Sequence, residues 1–418
     1  MTVHLPYGKT TISMNIAPER VITSNIGKLE GGNGAELVRA AMAAPIGSPT
    51  LAELAADKQT CTIIISDHTR PVPSKDILPQ MLAQLRRGNP DIAVTLLVAT
   101  GCHRGTTVQE LENKLGREIV ENEKIVVHDA FDKDANVQIG ILPSGAPLVI
   151  DRLAVETDLL VAEGFIEPHF FAGFSGGRKS VLPGVCDKVT VYGNHCGKFI
   201  ADPKARTGIL EGNPLHQDML YAARAAKLAF ICNVVINAKR QVVGAFAGDC
   251  DQAHLAGTEF LKELCQVPAT PADIVITTNN GYPLDQNIYQ AVKGMTAGES
   301  TCREGGVIIM VAACEDGHGG ESFRKTIAEG GTPAQILDQI QSTPPEHTLP
   351  DQWESQILAR ILNKHHVVLV TRAEADLVRS MQMHPASDIP QALAIAQGLL
   401  GREGSITVIP EGISTIVG

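Results

Sequence analysis

The sequence predicts an α/β protein of two α/β domains with mostly parallel sheets. Short apolar runs rich in β-branched residues alternate with amphipathic helical patterns, which is typical of parallel strands connected by helices. This alternation is interrupted by the Pro-rich segment 267–273 and then begins again. The length of 418 residues also favours two or three domains, at roughly 100–200 residues each.

The first predicted domain spans residues 1–268. We expect its strands at 60–66, 92–100, 124–129, 158–165 and 229–237, and its helices at 74–88, 106–115, 215–227 and 251–264. The strand TCTIIIS at 60–66 is almost wholly apolar, as expected for a strand buried on both faces. Ser74 is the expected N-cap of the helix that ends at Gly88.

The second predicted domain spans residues 269–418. We expect its strands at 273–279, 305–313, 365–371 and 405–412, and its helices at 284–296, 353–364 and 387–400. The sequence leaves open whether the last strand returns to the first domain. The segment 315–350 is rich in glycine, proline and polar residues, and we expect it to be a mobile surface region.

The composition disfavours some classes of binding partner and indicates a cellular compartment. The net charge is 35 minus 46, or −11, which disfavours nucleic acid and anionic membranes as partners. The sequence has no apolar run of ~18 residues and no signal-peptide pattern at its start. The nine cysteines include no CxxC pair, so we predict a reducing compartment, the cytoplasm.

Two polar clusters directly follow predicted strands, where parallel α/β sheets bind their ligands. In DHTRP (67–71), Asp67 and Thr69 could bind a ribose or phosphate, and Arg70 suits a carboxylate or phosphate. In GCHR (101–104), His103 suits a general base or a metal ligand. The alternatives are a turn with a solvated Arg70 and an exposed or structural His103.

A third cluster, EPHFFAGFSGGRK at 167–179, contains the highest density of chemically useful residues. Gly176 and Gly177 would let backbone N–H groups approach a phosphate, with Lys179 adding positive charge. Its spacing differs from that of a Walker A loop. His169 could share the same cavity, whereas the alternative is a flexible loop with an exposed lysine.

Further candidates lie later in the chain. His195, in GNH, is a candidate metal ligand, but a single histidine is a weak site unless a cofactor supplies the other donors. Gln290 and Lys293 lie three residues apart on one helix face, next to Tyr289. They could contact a substrate or form a solvated face, and Trp353 could pack in the core or wall a pocket.

Taken in this order, these segments resemble the nickel-pincer nucleotide-dependent lactate racemase family over essentially the whole chain. The resemblance implies the cofactor pyridinium-3-thioamide-5-thiocarboxylic acid mononucleotide with Ni(II), linked to Lys179, and a nickel ligand at His195. It also implies that His103 and His169 are the general acid and base and that Arg70 binds the substrate carboxylate. Substrate contacts are expected from Tyr289, Gln290, Lys293 and Trp353, and cofactor contacts from Asp67, Thr69, Gly176 and Gly177.

The implied reaction racemises a small 2-hydroxy acid in a cleft between the two domains. The α-hydrogen moves as a hydride to the cofactor and returns to the opposite face of a planar 2-oxo acid. The two histidines meanwhile remove and return the hydroxyl proton, a task suited to an imidazole pKa near 6.5. The other implied partners are the enzymes that synthesise the cofactor; the oligomeric state is left open.

Several alternatives remain open at this point. The substrate could be lactate, malate, hydroxyglutarate, phenyllactate or a sugar acid, and Arg178 could bind a second carboxylate. A non-catalytic protein that binds nickel or a nucleotide would need neither His103 nor His169. A zinc hydrolase would use His103, His169 and His195 as metal ligands, and would give Lys179 no covalent role.

Overall fold

The computed structural model describes residues 1–418, except for the side chain of Pro18. It divides into two compact units. The first unit consists of Ile26–Asn194 and Lys204–Glu263, and the second of Met1–Asn25, His195–Pro203 and Leu264–Gly418. The second unit resumes at Leu264, close to the predicted boundary after residue 268, but it also takes two earlier segments that we had assigned to the first domain.

The secondary structure follows the predicted alternation. The strands are β1 (Thr2–Tyr7), β2 (Thr10–Asn15), β3 (Thr60–Ser66), β4 (Ala93–Ala99), β5 (Lys124–Val127), β6 (Asn136–Ile141), β7 (Pro147–Asp151), β8 (Leu159–Phe165), β9 (Pro168–His169), β10 (Gly173–Phe174), β11 (Leu228–Ile236), β12 (Val242–Gly248), β13 (Gln266–Val267), β14 (Ala272–Thr278), β15 (Cys302–Val311), β16 (His366–Val370), β17 (His384–Ala386), β18 (Ile406–Ile409) and β19 (Ile416–Val417). The α-helices are α1 (Gly34–Ala43), α2 (Leu51–Ala55), α3 (Ser74–Gly88), α4 (Val108–Leu115), α5 (Arg117–Asn122), α6 (Arg152–Glu156), α7 (Lys188–Asn194), α8 (Gly197–Ala201), α9 (Pro214–Ala225), α10 (Gln252–Cys265), α11 (Ile288–Glu299), α12 (Glu321–Glu329), α13 (Pro333–Ser342), α14 (Gln352–Leu362), α15 (Ala375–Ser380) and α16 (Ile389–Leu400).

The first unit is built on a six-stranded sheet in the order β12-β11-β8-β3-β4-β5. All its strands are parallel except β12, which pairs antiparallel with β11. Ser66, the last residue of β3, lies opposite Ala99, the last residue of β4. The loops that follow these two strands therefore leave the sheet side by side, at the edge where parallel α/β sheets bind their ligands.

Helix α3 packs on this sheet through an apolar stripe with helical spacing. Its buried apolar residues are Ile77, Leu78, Met81, Leu82 and Leu85. The prediction that Ser74 caps this helix is wrong, because the N-cap is Pro73 and Ser74 is its first residue. The Ser74 hydroxyl is buried and donates a hydrogen bond to Glu163, at 3.1 Å from either carboxylate oxygen.

The second unit is built on a five-stranded, fully parallel sheet in the order β17-β16-β15-β14-β18. Its smaller strand pairs are the antiparallel hairpin β1–β2 and the parallel pair β13–β19. The strand predicted at 405–412 is β18, which pairs with β14. This answers the question that the sequence left open, since β18 stays within the second unit. The predicted α/β class with mostly parallel sheets is confirmed.

The prediction that residues 315–350 form a mobile surface region is wrong for the part of this segment that is helical. This segment forms α12 and α13, and α13 begins with a capping box between Thr332 and Gln335. Phe323 and Ile327, four residues apart, are both 0% exposed. Their burial on one face of α12 explains why a polar-looking segment is ordered.

Candidate active site

In the first unit, the loops after β3 and β4 bring Asp67 and His103 into direct contact. The Nδ1 atom of His103 lies 2.8 Å from Oδ2 of Asp67. The other oxygen of this carboxylate accepts hydrogen bonds from the hydroxyl of Thr69 at 2.7 Å and from its backbone N–H at 3.2 Å. Asp67 is only 2% exposed, whereas the His103 side chain is 48% exposed. The pair therefore has a buried anchor and an imidazole that solvent can reach.

The charge of Asp67 determines how the His103 ring is protonated. Burial raises the pKa of Asp67, but hydrogen bonds and positive charge from His103 and Arg70 outweigh it and lower this pKa to about 2. The carboxylate is therefore ionised near neutral pH and only accepts hydrogen bonds. Nδ1 of His103 must then carry a proton, so Nε2 holds the lone pair of the neutral ring.

Arg70 belongs to the same loop, but its guanidinium is exposed. Its carbonyl oxygen accepts a hydrogen bond of 3.0 Å from the Lys114 ammonium on α4. Burial lowers the pKa of Lys114, while the charges of Glu163 and Asp67 raise it. The backbone of Arg70 is thus held in place while its side chain faces solvent, as a residue that binds a substrate carboxylate needs.

His169 and Lys179 of the third cluster contact the same aromatic ring. The His169 ring packs edge-on against Phe171, with centroids 4.5 Å apart. The ammonium of Lys179 lies 5.7 Å from the centroid of that phenyl ring. The backbone N–H of Ala172 donates to Nδ1 of His169 at 3.3 Å. His169 is therefore also oriented through its Nδ1 atom, but here Nδ1 accepts the hydrogen bond, so the neutral ring carries its proton on Nε2.

The glycine turn before Lys179 is packed tightly against neighbouring side chains. Gly176 and Gly177 have φ angles of +77° and +53°, which favour glycine. A Cβ on Gly176 would lie 2.7 Å from Oδ1 of Asn233, and one on Gly177 would lie 2.7 Å from Cγ of His254. The Gly177 N–H donates to the same Asn233 oxygen at 2.7 Å. Packing alone explains both glycines, and their contact with a cofactor phosphate stays a prediction.

Backbone hydrogen bonds connect the His103 loop with the Lys179 turn. The N–H of Gly101 donates to the carbonyl of Gly184 at 2.9 Å, and the N–H of Gly184 donates to the carbonyl of Lys179 at 3.2 Å. The first unit thus links the segments that carry His103 and Lys179. Lys179 and His169, in turn, contact the same ring.

The second unit holds the remaining candidates, grouped around Trp353. The ring of His195, which is 5% exposed, packs edge-on against Trp353 with centroids 5.1 Å apart. The Tyr289 hydroxyl forms hydrogen bonds with the side chains of Trp353 and Asp351, and burial is the largest cause that raises its pKa. Trp353 is therefore in contact with both the metal-ligand candidate and a substrate-contact candidate.

Lys293 and Gln290 share one face of α11, as their spacing predicted. The Lys293 ammonium donates to the side-chain oxygen of Gln290 at 2.6 Å. Glu354, 1% exposed, lies within electrostatic range of Lys293. Burial raises the pKa of Glu354 to about 8, although the charge of Lys293 lowers it. The carboxyl of Glu354 is therefore a weaker acid than a solvated glutamate.

Sequence reasoning missed two of these features, the contact of Asp67 with His103 and the buried Glu354. The first could have been inferred, because neighbouring parallel strands end together and Asp67 and His103 follow β3 and β4. The second had no local signal, because Glu354 sits in a helical pattern where an acidic residue is ordinarily solvated.

The described residues contain neither a metal site built from protein side chains alone nor a helix that could cross a membrane. No group of three or more His, Cys, Asp or Glu side chains in that part of the chain is placed to hold a metal ion, although the zinc alternative needs three protein ligands. Among the same residues, no helix combines the length and hydropathy needed to span a bilayer.

Comparison with known protein families covers most of the chain. The family described as the lactate racemase N-terminal domain matches residues 7–208, and the lactate racemase C-terminal domain matches residues 267–417. The lactate racemase of Thermoanaerobacterium thermosaccharolyticum is 52% identical over 420 residues, covering 99% of each chain. The lactate racemase of Lactiplantibacillus plantarum is 50% identical over 422 residues and covers 100% of each chain.

Solved structures agree with these matches. The lactate racemase apoprotein from T. thermosaccharolyticum superposes with a TM-score of 0.96 at 51% identity, and the match covers 100% of both chains. A Thermotoga maritima protein superposes with a TM-score of 0.66 at 20% identity, covering 93% of this chain and 100% of its own. This second similarity concerns the fold alone.

Proposed function

This chain belongs to the lactate racemase family, and we propose on that premise that it interconverts the enantiomers of lactate or a related small 2-hydroxy acid in the cytoplasm. It is an isomerase of the 2-hydroxy acid racemase class. The observation that carries the proposal is the presence, in one unit, of two imidazoles that are each oriented through Nδ1. Racemisation needs such a pair, because the hydroxyl proton must be exchanged for either enantiomer.

We further propose that the chain works with the nickel-pincer nucleotide and Ni(II), and the residues present fit this group. Lys179 offers an amine for covalent attachment. His195 is a single imidazole, and a lone protein ligand suits a metal whose other donors come with the cofactor. When bound, the group would accept the α-hydrogen as a hydride and return it.

The carboxylate of the substrate would bind to Arg70. Its guanidinium is exposed, and its planar donors match the two oxygens of a carboxylate. Lys293, supported by Gln290 at 2.6 Å, would bind a substrate oxygen. Tyr289 and Trp353, which are joined by a hydrogen bond, would form the wall of the substrate site.

His103 would take the hydroxyl proton of one enantiomer at Nε2. Asp67, at 2.8 Å from Nδ1, keeps the lone pair on Nε2 and stabilises the imidazolium that forms. This is the role of a buried aspartate behind a catalytic histidine in other enzymes. His169 would perform the proton exchange for the other enantiomer. Because its Nδ1 accepts from the Ala172 N–H, the neutral ring carries its proton on Nε2, and Nε2 can take the hydroxyl proton only after that hydrogen bond opens and the ring changes tautomer. Asp67 would thus orient a base, and its contact with the cofactor ribose remains a prediction.

The direct test is to incubate pure L- and D-lactate with the enzyme produced alongside its cofactor-synthesis enzymes. Optical rotation or chiral chromatography should show both isomers converging on a 1:1 mixture. Malate, hydroxyglutarate, phenyllactate and sugar acids, assayed in parallel, would identify the preferred substrate. Protein made without the cofactor-synthesis enzymes is the control and should be inactive. If the loaded enzyme left every 2-hydroxy acid unchanged, the proposal would be wrong.

A further inference from the structure

Arg178, the residue before Lys179, is 0% exposed and has an unusual set of partners for a buried charge. Nη2 donates to the carbonyl of Ala172 at 2.8 Å, and Nη1 donates to the carbonyl of Phe174 at 2.8 Å. Nε donates to Nδ1 of His216 at 3.0 Å. Buried arginines usually pair with carboxylates. The guanidinium of Arg178 instead donates to backbone carbonyls and to a histidine ring.

Two neutral histidines complete the surroundings of Arg178. Burial lowers the pKa of His216 to about 3, and the positive charge of Arg178 contributes to this shift. The same two causes hold the pKa of His254 well below its ordinary value. Nε2 of His254 lies 3.0 Å from Nη1 of Arg178 and 2.9 Å from the carbonyl of Ser175. Both rings are thus neutral. Nδ1 of His216 uses its lone pair to accept from the guanidinium, whereas Nε2 of His254 either accepts from Arg178 or donates to the Ser175 carbonyl, because one ring nitrogen cannot do both.

The hydrogen bonds of Arg178 join the two segments of the first unit that bear reactive groups. Ala172 and Phe174 belong to the hairpin in which Gly173 pairs with His169. Arg178 itself lies in the 3₁₀ turn Gly177–Ser180, which contains Lys179. One rigid side chain therefore fixes the hairpin of His169 relative to the turn of Lys179.

We propose that Arg178 is a positioning residue for the racemase reaction, holding His169 and Lys179 in fixed relative positions. The expected effect of Arg178 on kcat rests on the proposed function. Its role in holding the His169 hairpin against the Lys179 turn does not. This role differs from binding a second substrate carboxylate. A guanidinium that is buried and already donates from all three of its nitrogens does not bind substrate.

The first test is Arg178→Lys, which keeps the charge but replaces the planar fork by a single ammonium. In the protein without cofactor, amide hydrogen exchange in residues 168–176 should become faster. In the loaded enzyme kcat should fall on the order of 100-fold, because small displacements of reacting groups are that costly. KM should stay near the wild-type value, because the carboxylate is bound by Arg70.

Arg117→Lys is the matched control, since this arginine is 79% exposed in its side chain and pairs with Glu121 on α5. It should leave both the exchange pattern and kcat unchanged. Wild-type exchange in residues 168–176 together with wild-type kcat in Arg178→Lys would overturn the proposal.

A second pair of variants decides the question if Arg178→Lys does not fold. His216→Asn keeps an acceptor near the position of Nδ1, whereas His216→Leu removes it. We expect near wild-type kcat and amide exchange for His216→Asn, and for His216→Leu faster exchange and a kcat lower by roughly tenfold, the value of one hydrogen bond to a charged group. Equal behaviour of the two variants would contradict the proposal.

These measurements separate the two proposals. If the loaded wild-type enzyme were inactive on every 2-hydroxy acid, the proposed function would fail, yet hydrogen exchange would still report on Arg178. If racemisation were normal in Arg178→Lys, with normal exchange, the role of Arg178 would fail and the proposed function would stand.

Discussion

At the scale of single residues, the Asp67 carboxylate determines which nitrogen of His103 carries the lone pair. It is buried, has a pKa of about 2 and lies 2.8 Å from Nδ1 of His103. An ionised carboxylate cannot donate a hydrogen bond, so the tautomer of the imidazole follows from the charge of its neighbour. The same charge would stabilise the imidazolium formed when His103 accepts the hydroxyl proton.

We expect Asp67→Asn to lower kcat by about 10²–10⁴-fold, the range associated with general acid–base catalysis. The amide can donate to Nδ1 and so favour the tautomer with its proton on Nε2. KM should change little, because Arg70 remains. Steady-state kinetics in both directions of racemisation would measure these parameters.

The matched control for this substitution is Asp57→Asn, since the Asp57 side chain is 76% exposed and contacts Lys58. It should have wild-type kinetics. Intact mass of each variant would show how much cofactor is attached. Normal loading with unchanged kcat in Asp67→Asn would refute the role assigned to Asp67, while low loading would point to the predicted ribose contact.

At the scale of elements, the turn that leads to Lys179 depends on glycine for two separate reasons. Gly177 has a positive φ, and a Cβ there would lie 2.7 Å from Cγ of His254. Gly145, in the turn between β6 and β7, also has a positive φ, of +93°, but a Cβ there would meet nothing within 4 Å. A side chain at either position would be strained by the positive φ angle. Only at Gly177 would it also collide with a neighbouring side chain.

We expect Gly145→Ala to lower the free energy of unfolding by about 1–2 kcal/mol, the cost of a left-handed conformation. Gly177→Ala should add a packing cost of about 1–3 kcal/mol. Urea unfolding of the two variants would measure the difference. Equal destabilisation would mean that His254 moves aside freely and that the turn is not rigidly packed.

The sequence was sufficient to predict most elements of the two main sheets, because their strands are short apolar runs bounded by turns. The prediction at 60–66 coincides with β3, and the helix at 74–88 coincides with α3. The hairpins β1–β2 and β6–β7 were not predicted. One strand of each hairpin, β2 or β6, has at most one buried residue, so its apolar pattern is weak, although β1 and β7 are partly buried.

Two local errors have different physical causes. Ser74 looked like an N-cap, but its hydroxyl binds Glu163, 89 positions away in the sequence, and no local pattern contains that partner. In contrast, the helix α13 begins with a capping box at Thr332 and Gln335 that the sequence does contain. Composition rich in glycine and proline was given too much weight in that segment.

At the scale of the whole molecule, the organisation into units is less local than the sequence suggested. The hairpin at the N-terminus belongs to the second unit, where the Gly8 N–H donates to Asp285 at 2.7 Å across 277 positions. His195 belongs to that unit as well, between two parts of the chain that belong to the other. A domain boundary placed at one Pro-rich break could not predict that earlier segments of the chain belong to the second unit, because this depends on contacts between segments that are distant in sequence.

We propose that the protein inverts a 2-hydroxy acid by moving the α-hydrogen with its electron pair, while His103 and His169 exchange only the hydroxyl proton. The most direct test is to racemise L-lactate with the loaded enzyme in D₂O and analyse the D-lactate by mass spectrometry and proton NMR. Imidazole protons exchange with solvent, whereas a hydrogen moved with its electrons does not. We expect D-lactate that carries protium at Cα, and deuterium at that carbon in step with turnover would contradict a hydride transfer.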